Sequence, residues 1–346
     1  MAGLNISYPP LHIQNIPLSI ERSGHDIVKA SAFLLIPTEL LYFSIYFHIK
    51  GHDRIYQHLT FLSLLAFWIS PWLAPIHCSP VRCLQNFAIA IGTMKLLDIW
   101  ARRHSLPTYT VGRKPADWLY ALIVLTELRY ESFTPNHIRV TRDQENFSEP
   151  MQLALHVLIF TVLQTLPQSI PSVLAFEVLL AIYIIWTSMQ LLLRYKSSPA
   201  LFGPLYKIDS LTGFWSESWH NVFASPCTSL AYSPLRYGLP QLGVPIPVAR
   251  SLGVLGAFTL MAIFHVYALA PILTEQALLR IGLFFFFNGI ATVSEAMVWG
   301  HKRHWLKTIM AWVFEVAVSS WAVDGMDFPN GLSKIRWRQM CEPQQF

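Results

Sequence analysis

The chain has 346 residues, of which 53% are hydrophobic, 14% aromatic and only 13% charged, with 25 Lys and Arg against 20 Asp and Glu for a net charge of +5. A soluble globular chain carries roughly a quarter charged residues, so this one lacks the polar groups to cover a water-facing surface of its size; its mean hydropathy is +0.40. Disordered chains, disulfide-rich secreted scaffolds and nucleic-acid modules are excluded on these figures, and a protein whose partner is the lipid bilayer remains.

In chain order, residues 1–29 hold Pro9, Pro10 and Pro17 among polar residues and read as an N-terminal tail rather than a signal peptide. A bilayer-crossing helix needs about 20 mainly apolar residues. Such runs fall at 30–49, 57–76, 84–100, 151–171, 173–194, 249–272, 276–299 and 305–323. They predict an all-α polytopic protein of about eight transmembrane helices (seven to nine), with 1–346 forming a single membrane domain. The third run contains Lys95 and Asp98, expected to meet the interface near its end. Residues 116–128 are apolar but short, which predicts an interfacial or re-entrant helix.

Loops after the odd-numbered runs, together with Arg194 and Lys307 at the adjoining run ends, hold 16 of the 25 basic residues, which orients them to the cytosol. The basic tail with Lys334, Arg336 and Arg338 falls on the opposite side, against that rule. Cys78, Cys83, Cys227 and Cys341 lack metal-type spacing and read as ordinary thiols, with Cys78 and Cys83 near enough in sequence to pair across one short loop. Asn5 and Asn146 begin sequons, the first on the lumenal side of this scheme and the second in a cytosolic loop.

The connection 195–248 is long and rich in Trp, Phe, Tyr and Pro, which predicts packing against the membrane body. Within it, "DSLTGFWSESWHNVF" (Asp209–Phe223) gathers Phe214, Trp215 and Trp219 around Glu217 and His220. The following apolar run has one ionisable side chain in its interior, His265. An ionisable group inside a membrane helix is costly without a role or a partner, and imidazole suits proton transfer near neutral pH. At this stage a general base and a histidine bonded to a neighbouring helix are equally compatible with His265.

An F-W-x-x-x-W-[NH] segment (Phe214, Trp215, Trp219, His220) followed by a membrane helix with a lone His resembles the membrane-bound O-acyltransferase superfamily, MBOAT. Within it the resemblance is to the wax-synthase-like branch, including fungal enzymes that acylate secondary metabolites. "MKLLDIWARR" (Met94–Arg103) is similar to the M-[RK]-x-L-D segment of fungal members. The likeness covers about residues 90–305, a wax-synthase-like catalytic region. Two positions depart from the pattern: Ala262, Ile263 and Phe264 stand where Ser-Gly is common, and His220 stands where many relatives have Asn.

The resemblance implies an acyl-CoA-dependent O-acyltransferase, with no bound cofactor or metal and with acyl-CoA, acetyl-CoA in the first instance, as co-substrate. His265 would be the general base, and His220 would orient the acceptor or stabilise the thioester oxyanion. Trp215, Trp219, Glu217, Asn221 and Glu295 are the candidate substrate contacts, with packing the other role open to the two tryptophans and a structural bond to Asn288 or a neighbouring helix the other role open to Glu295. Arg236, Lys207 or the 101–114 basic cluster would meet the CoA phosphates. The acceptor would be a lipophilic alcohol such as a terpenoid or another secondary metabolite, and the location the endoplasmic reticulum. A long-chain wax ester synthase is the nearest alternative. A di-iron oxygenase drawing on His48, His52, His220, His301 and His304, a haem protein using His156 and His265, and a transporter are the other classes. Each needs a feature not visible in the sequence: adjacent His-His boxes, facing ligand pairs, or internal repeats.

Overall fold

Proline and capping groups mark the helix starts. Pro80, Pro150 and Pro247 occupy the first turns of three helices, where their missing N–H costs nothing. Thr274 Oγ1 accepts from the Ala277 N–H at 3.3 Å, and His304 Nδ1 from the Leu306 N–H at 3.1 Å. The computed structural model describes residues 16–136, 148–193, 200–203, 205–300, 302, 304–326 and 339–341. Its long helices are α1 (Ile16–Ile49), α2 (Asp53–Leu73) and α3 (Ser79–Ala101), followed by α4 (Asp117–Thr126), α5 (Glu149–Leu163) and α6 (Pro171–Leu193). Three short helical turns follow, α7 (Leu211–Gly213), α8 (Ala224–Cys227) and α9 (Leu239–Gln241), interleaved with π-helical turns at Phe214–Ser218, Thr228–Tyr232 and Pro234–Gly238. Three long helices close the bundle: α10 (Ile246–Leu269), α11 (Glu275–Trp299) and α12 (Trp305–Asp324). Two two-residue strands, β1 (Thr108–Tyr109) and β2 (Phe133–Thr134), pair antiparallel with Thr108 opposite Thr134.

The chain is thus an all-α polytopic membrane protein. Among the described residues five helical stretches are long and apolar enough to cross a membrane: Arg22–Ile49, Pro171–Leu192, Ile246–Leu269, Glu275–Trp299 and Trp305–Asp324. The other three expected spans differ. α2 and α3 are long but do not meet the same apolar standard, and α5 has only 15 residues. The bundle turns large apolar side chains outward, among them Trp72, Leu192, Ile263 and Val313, as a surface facing lipid does. The expected tail 1–29 is shorter than read, because α1 begins at Ile16. α4 matches the short apolar segment; it buries Tyr120, Ala121 and Val124 and leaves Trp118 exposed.

Contacts divide the bundle into two ends. At one, the Asn86 amide donates to the Tyr267 carbonyl at 3.0 Å, Arg280 pairs with Asp324 at 3.1 Å, and Leu174 and Ala175 pack with Val323. The same end holds a Cys78–Cys341 disulfide, which corrects the reading of these two as ordinary thiols; Cys83 is a buried free thiol. The bond joins the α2–α3 turn to the C-terminal segment across 263 residues. At the other end lie the Lys50–Asp117 ion pair at 2.7 Å, the 127–132 loop and the segment 205–245. Gly300, with φ of +58°, turns the chain out of α11 here, a conformation glycine adopts without strain. Asn5, Asn146 and His301 lie outside the described residues.

Candidate active site

Segment 205–223 is anchored from two sides. Glu295, buried on α11, accepts from the Leu211 N–H at 2.7 Å, the Thr212 N–H at 3.1 Å and Thr212 Oγ1 at 3.0 Å, and lies 3.6 Å from Lys307 Nζ. The carboxylate therefore satisfies the free N–H groups of α7, where negative charge is favoured. On the other side the Gly203 N–H donates to the Ser218 carbonyl at 3.0 Å, and a Cβ on Gly203 would meet the Glu217 carbonyl at 2.6 Å. Only glycine fits this approach. Between these anchors the backbone makes one π-helical turn, Phe214–Ser218, and the Trp219 N–H closes back on the Phe214 carbonyl at 2.7 Å.

The turn faces a cavity of about 1280 Å³, lined by segment 209–237, one face of α10 and the end of α11 nearest Gly300. The α10 lining residues Arg250, Val254, Ala257, Met261 and His265 recur at the helical repeat. The stripe runs about 28 Å from Ile246 to His265 at 1.5 Å per residue. Arg236, Arg250 and Lys302 border the cavity as well, so cations occur along its wall towards the end where α10 begins.

His265 lies deep on this wall. Its Nδ1 is 2.8 Å from the Met261 carbonyl oxygen, which can only accept, so Nδ1 carries the proton and Nε2 holds a lone pair. Among the described residues Nε2 has no hydrogen-bond partner. The imidazole stacks on Phe285 at 4.4 Å and meets Phe264 edge-on at 5.0 Å. His220 lines the same cavity among Trp219, Phe202, Phe223 and Trp186. Neither of its ring nitrogens has a partner among the described residues, and Nδ1 is buried. Burial, helped by nearby His265, lowers the His220 imidazole to about 3, which keeps it neutral at physiological pH. Cys227 also lines the cavity, but burial and then Asp98 push its thiol up to about 12, which leaves no thiolate to act as a nucleophile.

The structure brings most of the expected residues together. His265, His220, Trp215, Trp219, Glu217, Asn221 and Arg236 all line the cavity. Trp215 Nε1 donates to Asn288 Oδ1 at 3.0 Å and Glu315 Oε1 at 3.1 Å, and Asn221 Oδ1 accepts from Arg129 at 2.9 Å. Two residues fall elsewhere. Glu295 is outside the lining, since its carboxylate is directed at α7, and exposed Lys207 is not part of the wall.

The largest departure concerns Lys95 and Asp98, which are buried instead of meeting an interface. Lys95 Nζ donates to the Glu127 carbonyl at 2.8 Å and sits 3.7 Å over the Tyr130 ring. Asp98 accepts from Arg102 Nε at 2.8 Å, from Ser225 Oγ at 3.0 Å and from Ser229 Oγ. The Met94–Arg103 motif thus ties α3 to the cavity segment. Sequence reading also missed Arg129, which joins Glu131 at 2.6 Å, the Ala200 carbonyl and Asn221. It counted only as loop charge, and nothing local to it announces these partners.

Among the described residues no group of three or more His, Cys, Asp and Glu side chains is arranged to hold a metal ion. His48 faces Asp53 at 3.5 Å, His304 caps α12, and His156 stacks on Tyr183 at 3.8 Å in the α5–α6 hairpin. No curated protein and no solved structure matches the chain. Residues 198–287, from just before the π-helical turn to beyond Phe285, match the model of the membrane bound O-acyl transferase family.

Proposed function

We propose that the protein transfers an acyl group from acyl-CoA to a hydroxyl of a lipophilic acceptor, with His265 as general base. The observation that carries this reading is the half-buried imidazole whose Nδ1 proton is committed to Met261 while Nε2 is left open on a cavity wall. An alcohol oxygen attacks the thioester carbonyl carbon as His265 Nε2 takes the hydroxyl proton. A C–O bond forms and the C–S bond breaks. The proton then passes from Nε2 to the departing thiolate, which restores the neutral base and releases CoA as the thiol. General-base catalysis contributes about 10²–10⁴-fold. Neutral His220 carries one N–H, and with no protein acceptor to set its tautomer it can donate to the carbonyl oxygen as charge grows there.

The cavity's dimensions support the donor. A phosphopantetheine arm is roughly 15–18 Å long by ordinary bond lengths, so its thioester reaches His265 while the nucleotide stays near the cations. Arg236, Arg250 and Lys302 would meet the phosphates; Arg236 is already held by Tyr232 Oη at 2.9 Å. The cationic part of the wall, where α10 begins, lies at the end of the bundle opposite the Cys78–Cys341 disulfide. Disulfides belong to oxidising compartments, so this end would face the cytosol, where acyl-CoA is found, in an endoplasmic-reticulum membrane. That orientation agrees with the loop charges and makes a lumenal basic tail consistent.

The test is transfer itself. Purified full-length protein is incubated with labelled acetyl-CoA or palmitoyl-CoA and a panel of terpenoid, polyketide and long-chain alcohols, and label is followed into extractable ester. Ester formation is expected with at least one pair, and a palmitoyl ester of a fatty alcohol as the main product would establish the wax-ester alternative. Absence of ester from every pair contradicts acyl transfer.

A further inference from the structure

We infer that Phe285 sets the acyl length, so that the donor belongs to the short-chain acyl thioesters; this rests on the acyl-CoA reading above. The cavity wall follows α10 as far as His265 and α11 as far as Phe285 and goes no further on either helix. Between α1 and α6 the one lining residue among those described is Asn136, in the loop before α5. At the depth of His265 the wall is made of rings. Phe285 is 7% exposed, stacks on the His265 imidazole and meets Phe284 edge-on at 5.2 Å, while Phe264 meets His265 edge-on at 5.0 Å.

The geometry of the reaction converts this wall into a ruler. The thioester carbonyl must come within reach of an alcohol held at His265 Nε2, and the thiol arm occupies the direction back along α10. Whatever follows the carbonyl carbon extends forward, into the Phe285 ring. An acetyl methyl fits in front of a ring; each further methylene must displace a side chain that is packed on all sides. Protein interiors resist such displacement, and one methylene too many in a tight apolar site changes selectivity about 10–200-fold.

The experiment measures binding, so it needs no knowledge of the acceptor. Non-hydrolysable thioether analogues of acetyl-, butyryl- and octanoyl-CoA, with free CoA as reference, are titrated against the full chain in detergent. Thermal stabilisation gives their affinities for wild type, Phe285→Ala and Phe285→Leu. Wild type is expected to hold the acetyl analogue about tenfold or more above the octanoyl analogue. Phe285→Ala should erase that ratio and Phe285→Leu reduce it; a sharp unliganded melting transition shows that each variant is folded, and Phe285→Leu decides the matter if Phe285→Ala is not. Octanoyl binding by wild type as tight as acetyl binding overturns the proposal, and so does an unchanged ratio in a folded variant. Failure of free CoA and every analogue to bind wild type overturns the acyl-CoA reading itself, and the ruler with it.

Discussion

Two sets of polar groups, one buried and one half-buried, lie in this molecule, and they are built on opposite plans. Around α3, Asp98 is fully buried yet accepts from Arg102, Ser225 and Ser229, and Lys95 is covered by a carbonyl and an aromatic face. Around the cavity, His220 has no hydrogen-bond partner among the described residues, and His265 spends one nitrogen on Met261 and leaves the other open. A buried polar group is expensive unless it is satisfied. Where the protein satisfies it completely, the group holds structure together; where it leaves one nitrogen unpaired on a cavity wall, the missing partner is supplied by substrate.

That contrast can be broken by substitution. The largest effect is expected from Asp98→Ala, which removes the buried carboxylate shared by Arg102, Ser225 and Ser229. Loss of one member of a buried pair costs about 3–5 kcal/mol, so the melting temperature should fall steeply, and a fully stable Asp98→Ala would dissolve the contrast. His220→Ala should do the reverse, lowering transfer about 10²–10³-fold with little change in melting temperature. Glu295→Gln comes next. It keeps the shape but weakens the charge-assisted bonds to α7, worth about 1.5–3 kcal/mol each at most. A reduced kcat and lower stability are expected together, with the KM for acyl-CoA nearly unchanged, because Glu295 lies outside the cavity wall.

The smallest effect sharpens the comparison through pH. His220 is lowered to about 3 in the folded protein, chiefly by burial and then by His265, from the ordinary value of 6.5. The unfolded chain therefore binds a proton below pH 6.5 that the folded chain refuses. The stabilising contribution is complete above about 6.5 and is lost progressively as pH falls towards 3. Melting temperatures of wild type should drop from pH 7 to pH 5, and His220→Asn should show a shallower decline over the same interval.

What was legible in the sequence follows from the range of each interaction. The spans depend on local apolar runs, so their centres match the helices closely. The exceptions arise where polarity or proline intervenes. α1 starts earlier because polar residues such as Ser23 and His25 belong to helix, and the α5–α6 junction opens between Gln164 and Ile170, around Pro167. The aromatic segment and His265 were recognisable because both are local patterns. The roles of Asp98, Arg129 and Glu295 were not, since beyond the local pairs Asp98–Arg102 and Arg129–Glu131 their partners are serines, an amide, a carbonyl and backbone N–H groups distant in sequence. The Cys78–Cys341 bond was hidden for the same reason.

The central claim is that the open nitrogen of His265 removes the hydroxyl proton. Its most direct test compares ester formation by wild type and His265→Ala with the same labelled acyl-CoA and acceptor, at equal amounts of folded protein. The account predicts a rate lower by about 10²–10⁴-fold with the melting temperature and acyl-CoA affinity retained. Undiminished transfer by His265→Ala would contradict it.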